Sequence, residues 1–405
     1  MSEPQSDAVN RSQIRQESDA NSTNIRLIDA LLDFWADAPA DGISVRALVQ
    51  QAGAAQAAIH YHFGDMERLY VEASAAALSE ARGWMEARSG DFAGLAERDL
   101  GPGLQASLIA SAIADWTGGQ RRLAMAARAA PSAGWQAAWD DFWAALSQAI
   151  GLGDHAAVIA SFAAGESARQ LLVWNPALDR ALLEETTAAL VLWLRERRFA
   201  ANPVRAVHQE LALGSYDRPA PRNDALAAQI EQAAADLLAQ QGHAGVTFRA
   251  VAVQADVTLG RVIQACGTKS DLLRGALHRL YLREALGGDQ AGLVAQRVPA
   301  DVMFGQLLDV VLAGSQPVLR AYDEIERAIY NGDEYADLRG VVRSMEDPSG
   351  TWALQQLLGG RAPPAALVAV FSAIIRGIGF RVAQGAGEGS ELRGWAQQAL
   401  SPFAP

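Results

Sequence analysis

The sequence predicts an all-α protein assembled from two similar helical units. Three observations carry that expectation. Apolar residues recur at helical spacing along the chain, and no stretch alternates as a half-buried strand would. Two short helices around a glycine turn are written between Ser44 and Tyr70. The same pattern begins again at Gly245.

At 405 residues the chain exceeds one typical domain, and half of its residues are hydrophobic, so a sizeable core is within reach. No apolar run approaches the roughly 20 residues of a membrane span, and no charged-then-apolar leader opens the chain. The single Cys266 rules out an internal disulfide framework. A cytoplasmic, soluble protein is the expectation.

Taken in order, residues 1–23 are polar and aperiodic and read as a disordered tail. From Asn24 a helix runs with Ile25, Ile28, Leu31, Leu32 and Trp35 on one face, until Pro39 and Gly42 end it. Ser44 can cap a short helix whose apolar positions are Val45, Leu48 and Val49. Gly53 supplies the residue type that turns the chain left-handed without steric cost. A second short helix follows from about Ala55 to Tyr61, and Asp65 looks like the cap of a longer third. This is the layout of a helix-turn-helix DNA reader.

The stretch resembles the N-terminal domain of TetR-type (tetracycline-repressor-like) regulators. The resemblance lies in the order LLDFWADAPADG, ISVRALVQQAG, AIHYHFGDMERLY, and most specifically in Tyr61-His62-Phe63 before an acidic helix start. It implies a three-helix DNA-binding domain followed by a helical body that binds a small molecule and dimerises through its last two long helices. Here those helices are AAVIASFAAGESARQLLVW and ALLEETTAALVLWLRERR.

Residues 202–222, with Pro203, Gly214, Pro219 and Pro221, read as a linker containing at most a turn of helix. Beyond it GVTFRAVAVQADVTLGRVIQACGTKSDLL overlies GISVRALVQQAGAAQAAIHYHFGDMERLY at a constant offset of 203. Ser44 meets Thr247, Arg46 meets Arg249, Gly64 meets Gly267 and Leu69 meets Leu272. Further on the offset becomes 209, matching Trp143 with Trp352, Ala157 with Ala366 and Phe162 with Phe371. A tandem duplication of TetR-like units follows as the expected organisation. Its parts are the tail 1–23, a first reader 24–82, a first body 83–201, the linker 202–222, a second and divergent reader 223–285, and a second body 286–405. The second copy has Asp256 in place of Gly53, Cys266 in place of Phe63 and Gln264 in place of Tyr61, and it gains Thr258 as a cap, Arg261 and Lys269.

The residue types then assign expected roles. Ser44 and Thr247 offer hydroxyls and helix-terminal amides to phosphates, and Arg46 and Arg249 suit phosphate or base-edge contact. Gln56, Ala58, His60 and Tyr61 are the exposed candidates of the first recognition helix; the resemblance implies a backbone contact for Tyr61. Leu259, Arg261 and Gln264 take those places in the second, flanked by Thr258 and Lys269. Gln can pair with adenine, Arg with guanine, and an Ala methyl can touch a thymine methyl.

Charge pulls the other way. The net charge is −12, and between Asn24 and Glu72 Arg26, Arg46 and Arg68 face seven acids. Weak electrostatic steering by the first reader is expected. No nucleophile elbow, phosphate loop or His-Glu-x-x-His motif is present, so neither an enzyme nor a cofactor is expected. Eight of ten tryptophans precede residue 200; Trp84, Trp116, Trp139 and Trp174 are candidates to line a pocket for an apolar or aromatic effector. Trp135, Trp139 and Trp143 share one helix face, as core or as ligand wall.

Two readings remain open. One is a ligand-responsive regulator, a repressor, acting as an intramolecular pseudo-dimer on an asymmetric double-stranded DNA operator, with or without further homodimerisation. The other is a TetR-fold protein with degraded DNA binding that acts through small-molecule or protein binding.

Overall fold

A computed structural model describes residues 22–36, 43–201, 203–215, 225–285, 298–313, 326, 329–330, 335–344, 348–383 and 389–405. The expected tail up to residue 21, the bend at Pro39 and Gly42, the second half of the linker and residues 286–297 lie outside them. No strand occurs among the described residues.

Helix α1 (residues 22–36) buries Leu27, Leu31, Leu32 and Trp35. Ile25, expected on that face, is instead half exposed, and Leu27 takes the inner position because it falls four residues before Leu31. Helices α2 (Val45–Gln51) and α3 (Ala57–Phe63) bury their apolar faces in the same core as α1, and α3 packs against α4 (Met66–Phe92). Along α4 the buried ridge Leu69, Ala73, Ala77, Ala81, Met85 repeats every four residues. Its alanines let α6 (Arg121–Ala129) and α7 (Ala133–Ala149) approach closely.

Helix α5 (Pro102–Ala114) opens on a proline, whose missing N–H costs nothing there, and widens at Asp115–Gly119 into a π turn. That turn buries Trp116. Helices α8 (Ala156–Gln170) and α9 (Pro176–Glu196) complete the first body.

The stretch expected to be a linker is a helix in its first part, α10 (Pro203–Ser215), docked on α9. The Glu185 carboxylate accepts the N–H groups of Val204 (2.7 Å) and Arg205 (3.0 Å) and so caps α10. Buried Asp179 anchors the same region. It accepts the Trp174 and Asn175 N–H groups, lies 2.8 Å from Arg343 Nε and 3.3 Å from His208 Nε2. Arg343 donates as well to the carbonyls of Arg169 (2.7 Å) and Leu172 (2.8 Å). A fully buried guanidinium is tolerable only with such partners.

The later helices are α11 (Ala225–Gly245), α12 (Phe248–Gln254), α13 (Leu259–Cys266) and α14 (Lys269–Ala285), then α15 (Ala300–Leu312), α16 (Ala336–Ser344), α17 (Pro348–Leu357), α18 (Ala365–Ala383) and α19 (Gly389–Leu400). The central packing is α8 on α18, with α9 and α19 beside it. A Cβ on Gly165 would lie 3.0 Å from Ala373 Cα and closer still to its carbonyl. One on Gly377 would collide in the same way with Ser161. Helix α18, 19 residues with mean hydropathy 1.8, is long and apolar enough to cross a membrane, against the expectation that no run approaches a span. It is a core helix here: 56% of its most apolar 18 residues are buried against protein, and Arg376 is paired with Glu326. The chain ends by clamping α9, with Trp193 Nε1 and Arg197 donating to the Pro402 carbonyl and Phe403 stacked on Trp193.

Candidate nucleic-acid interface

In the first reader Ser44 caps α2, its Oγ accepting the Ala47 N–H at 3.5 Å. Gly53 turns the chain at φ 58°, and its carbonyl is held by Arg26 Nη1 from α1 at 3.3 Å. Gly64 (φ 83°) ends α3, and Asp65 caps α4 by accepting the Arg68 N–H at 2.8 Å. Ile59 and Phe63 point inward, which leaves Gln56, His60 and Tyr61 outside; Tyr61 is 81% exposed. Arg46 stands exposed on the first turn of α2. Two expected readers are modified. Ala58 is half-buried against the core, because it precedes Ile59 on the inner edge of a seven-residue helix. His60 sits with Nδ1 2.5 Å from the Gly64 carbonyl, so its ring closes the end of its own helix.

The segment expected to be the second reader places its caps and turns at the same offset of 203 residues. Thr247 caps α12 through the Ala250 N–H (3.1 Å), and Asp256 takes the left-handed position at φ 50°. Gln229 Nε2 donates to the Ala255 carbonyl at 2.8 Å, where Arg26 serves the first reader. Gly267 (φ 70°) ends α13, and Thr268 and Asp271 cap α14 reciprocally. The buried sets correspond position by position: Leu27 with Ile230, Leu48 with Val251, Ile59 with Val262, Phe63 with Cys266, Leu69 with Leu272 and Ala73 with Ala276. Arg249, Arg261, Gln264 and Lys269 are exposed, as expected. Thr258 occupies the cap position of α13, but its side chain makes no capping bond, so it is not the gain the sequence suggested. Two apolar residues escaped the sequence reading: Val253 (78% exposed) and Ile263 (46%) lie outside together with Leu259 (41%). The offset itself carried the signal, since their counterparts are Gln50 and His60.

Among the pocket candidates, Trp116 and Trp139 line a cavity of about 180 Å³ below α6, α7 and α8. Trp135, Arg128, Phe380 and Trp395 line it too, the last two from α18 and α19. Trp84 is not on the wall; it backs Trp116 at 5.4 Å and Phe142 at 5.6 Å. Trp174 is elsewhere, packed on His208 (5.0 Å) and over Gly340, because the turn after α8 carries it to α10 and α16. Trp143 is fully buried core, so the three-indole stripe serves both purposes. Ser167 Oγ, on the wall, is buried with no hydrogen-bond partner. Arg381 holds the wall residue Trp395 from outside the lining: its guanidinium lies 4.1 Å over the Trp395 ring and meets Asp140 at 2.5 Å. Burial pushes the Asp140 carboxyl above its ordinary range even so, with Arg381 opposing.

Among the described residues the chain is helical without strands, and its first three helices build a capped helix-turn-helix, the layout of a DNA-reading class of domain. A family model described as bacterial regulatory proteins, tetR family, matches residues 27–73, from the buried face of α1 through α2 and α3 into α4. The match supports a TetR-type, DNA-binding transcriptional regulator. No curated protein matches the chain.

Proposed function

We propose that the chain is a ligand-responsive transcriptional repressor acting as an intramolecular pseudo-dimer on an asymmetric operator. One observation carries this: the caps, left-handed positions and buried set of the segment that matches the tetR family recur 203 residues later on a chain that joins both. The reading takes the molecule as two tandem units whose bodies meet where α8 crosses α18, the place at which two separate copies would otherwise associate. Tethering replaces association and holds the partner at high effective concentration. The Trp116–Trp139 cavity is the effector site in this reading, and an aromatic molecule with a polar group for Ser167 suits its walls. The protein is cytoplasmic, not an enzyme, and works without a cofactor.

A second reading has its own support. The first reader's acids and the closed His60 favour a protein that kept the fold and acts through small-molecule or protein binding. A salt titration of binding to DNA flanking its own gene separates the two. A regulator's affinity falls linearly in log salt, with a slope set by its phosphate contacts. Binding that is absent, or insensitive to salt, would refute the repressor.

A further inference from the structure

The second reader presents an unusual surface for a DNA module. Leu259 and Ile263 are spaced i, i+4 on α13 and share one exposed face. Val253 stands likewise four residues after Arg249 on α12. At these three places the first reader carries the polar residues Gln56, His60 and Gln50. The underlying frame is the same in both, so the exchange of polar for apolar groups is confined to the surface. Exposing them costs solvation energy unless something covers them.

Charge indicates what covers them. Arg249, Arg261 and Lys269 are exposed on the three helices α12, α13 and α14, with Asp256 and Asp271 exposed as well. Across residues 227–275 four bases balance four acids, whereas the equivalent first-reader window, 24–72, holds three bases against seven acids. An apolar face with exposed cations beside it and no excess of acids suits a polyanion whose readable surface bears methyl groups better than the acidic first window does. In the major groove only thymine supplies one, at C5.

We propose that Leu259 and Ile263, assisted by Val253, read thymine methyl groups, so that the second half-site is A·T-rich and recognised by apolar contact rather than by hydrogen bonds. Arg249 and Lys269 hold the phosphates on either side, and Arg261 and Gln264 are the hydrogen-bonding readers on that helix. The inference rests on the proposed DNA-binding function and assigns the specificity of one of its two sites.

The experiment selects duplexes from a random library with the full chain, footprints the best of them, and then replaces thymine by deoxyuridine in one half-site at a time. Deoxyuridine keeps the base pair and removes only the methyl. In the second reader's half-site, affinity should fall about fourfold for each methyl that had been buried. The same replacement in the first reader's half-site should change it by less than twofold. The double variant Leu259→Gln, Ile263→His transplants the first reader's residues and should erase the deoxyuridine effect; an unchanged circular-dichroism melt checks its fold. Binding that ignores deoxyuridine, or a footprint confined to the first half-site, overturns the inference while leaving DNA binding intact. Loss of self-association in the double variant with DNA binding unaltered would assign the face to a second copy of the chain, and overturn it too. Failure to select any duplex would defeat the proposed function and the inference together.

Discussion

Gly165 and Ala373 meet without a side chain between them, so that the backbone of α8 rests directly on the carbonyl side of α18. Gly377 and Ser161 repeat the arrangement one turn away. Any Cβ at either glycine must push the helices apart, because what it meets is backbone and cannot rotate aside. Gly165→Ala and Gly377→Ala should each destabilise the protein by about 1–3 kcal/mol, the usual cost of overpacking a rigid contact. Urea denaturation measures this. A variant as stable as the parent would show that the helices do not cross so closely.

Gly53 and Asp256 occupy equivalent left-handed turns, and only one of them is a glycine. An L-residue with a Cβ is strained there, by roughly 1–2 kcal/mol for an ordinary side chain and less for Asp. Asp256→Gly should therefore stabilise the second reader by up to about 1 kcal/mol, offset in part by the greater entropy of the unfolded chain. Gly53→Ala should destabilise the first by about 1 kcal/mol or more, with its new Cβ also 3.4 Å from Arg26 Nη1. Hydrogen exchange at the turn amides reads each reader separately. A small gain on Asp256→Gly beside a larger loss on Gly53→Ala would fit; a loss on Asp256→Gly would not.

Much of this was legible in the chain because short-range chemistry decided it. Ser44, Gly53, Gly64 and Asp65 each act within four residues of themselves, and the constant offset of 203 matched the first three with Thr247, Asp256 and Gly267. What escaped depends on distant partners. Nothing local says that Glu185 caps a helix 19 residues on, or that Arg343 is buried on the carbonyls of Arg169 and Leu172. The cavity is a case in between. Trp116 and Trp139 could be chosen by composition, but Trp395 belongs to the other end of the chain, and only the fold brings it near. Trp174 failed for the same reason, being carried off by the turn that follows α8.

His155 begins α8 half-buried, with Nδ1 enclosed and unpartnered. Burial, with nearby Arg197 adding to it, holds its pKa below the usual 6.5. The folded state therefore binds fewer protons than the unfolded state as the pH drops through that value. Its contribution to stability is complete above about pH 6.5 and is lost on acidification through the lower, folded pKa. His155→Gln should flatten the parent's loss of stability between neutral and mildly acidic pH. A parallel pair of stability curves would remove His155 from the account.

Filling the cavity tests whether its volume is used. Ala127 and Ala164 lie on the wall, and a leucine at either would occupy much of about 180 Å³. If an aromatic effector sits there, an indole-type probe should raise the melting temperature of the parent and quench Trp139 and Trp116. Ala164→Leu should abolish both responses. Trp395→Ala should weaken them, since Arg381 loses the ring it holds. A probe that binds the filled variant as well as the parent would place the site elsewhere.

The two readers should respond differently to loss of a positive charge and to loss of a base contact. Arg46 and Arg249 are exposed at equivalent positions, on the first turn of α2 and α12. If each neutralises one phosphate, Arg46→Ala and Arg249→Ala weaken binding to every sequence and lower the salt slope by about one unit each. Gln56→Ala and Arg261→Ala act on base edges instead, so their cost, about 1–3 kcal/mol, should appear against the preferred sequence and vanish against others. His60→Ala should cost less than either, because its ring is already engaged with the Gly64 carbonyl. An operator mirrors the symmetry of the protein that binds it, and Gln56 with His60 is not Leu259 with Ile263. Selected sites should therefore be non-palindromic, and the effects of Gln56→Ala and Arg261→Ala should map to opposite halves. A perfect palindrome bound by a single chain would end the asymmetric reading, whatever the salt slopes.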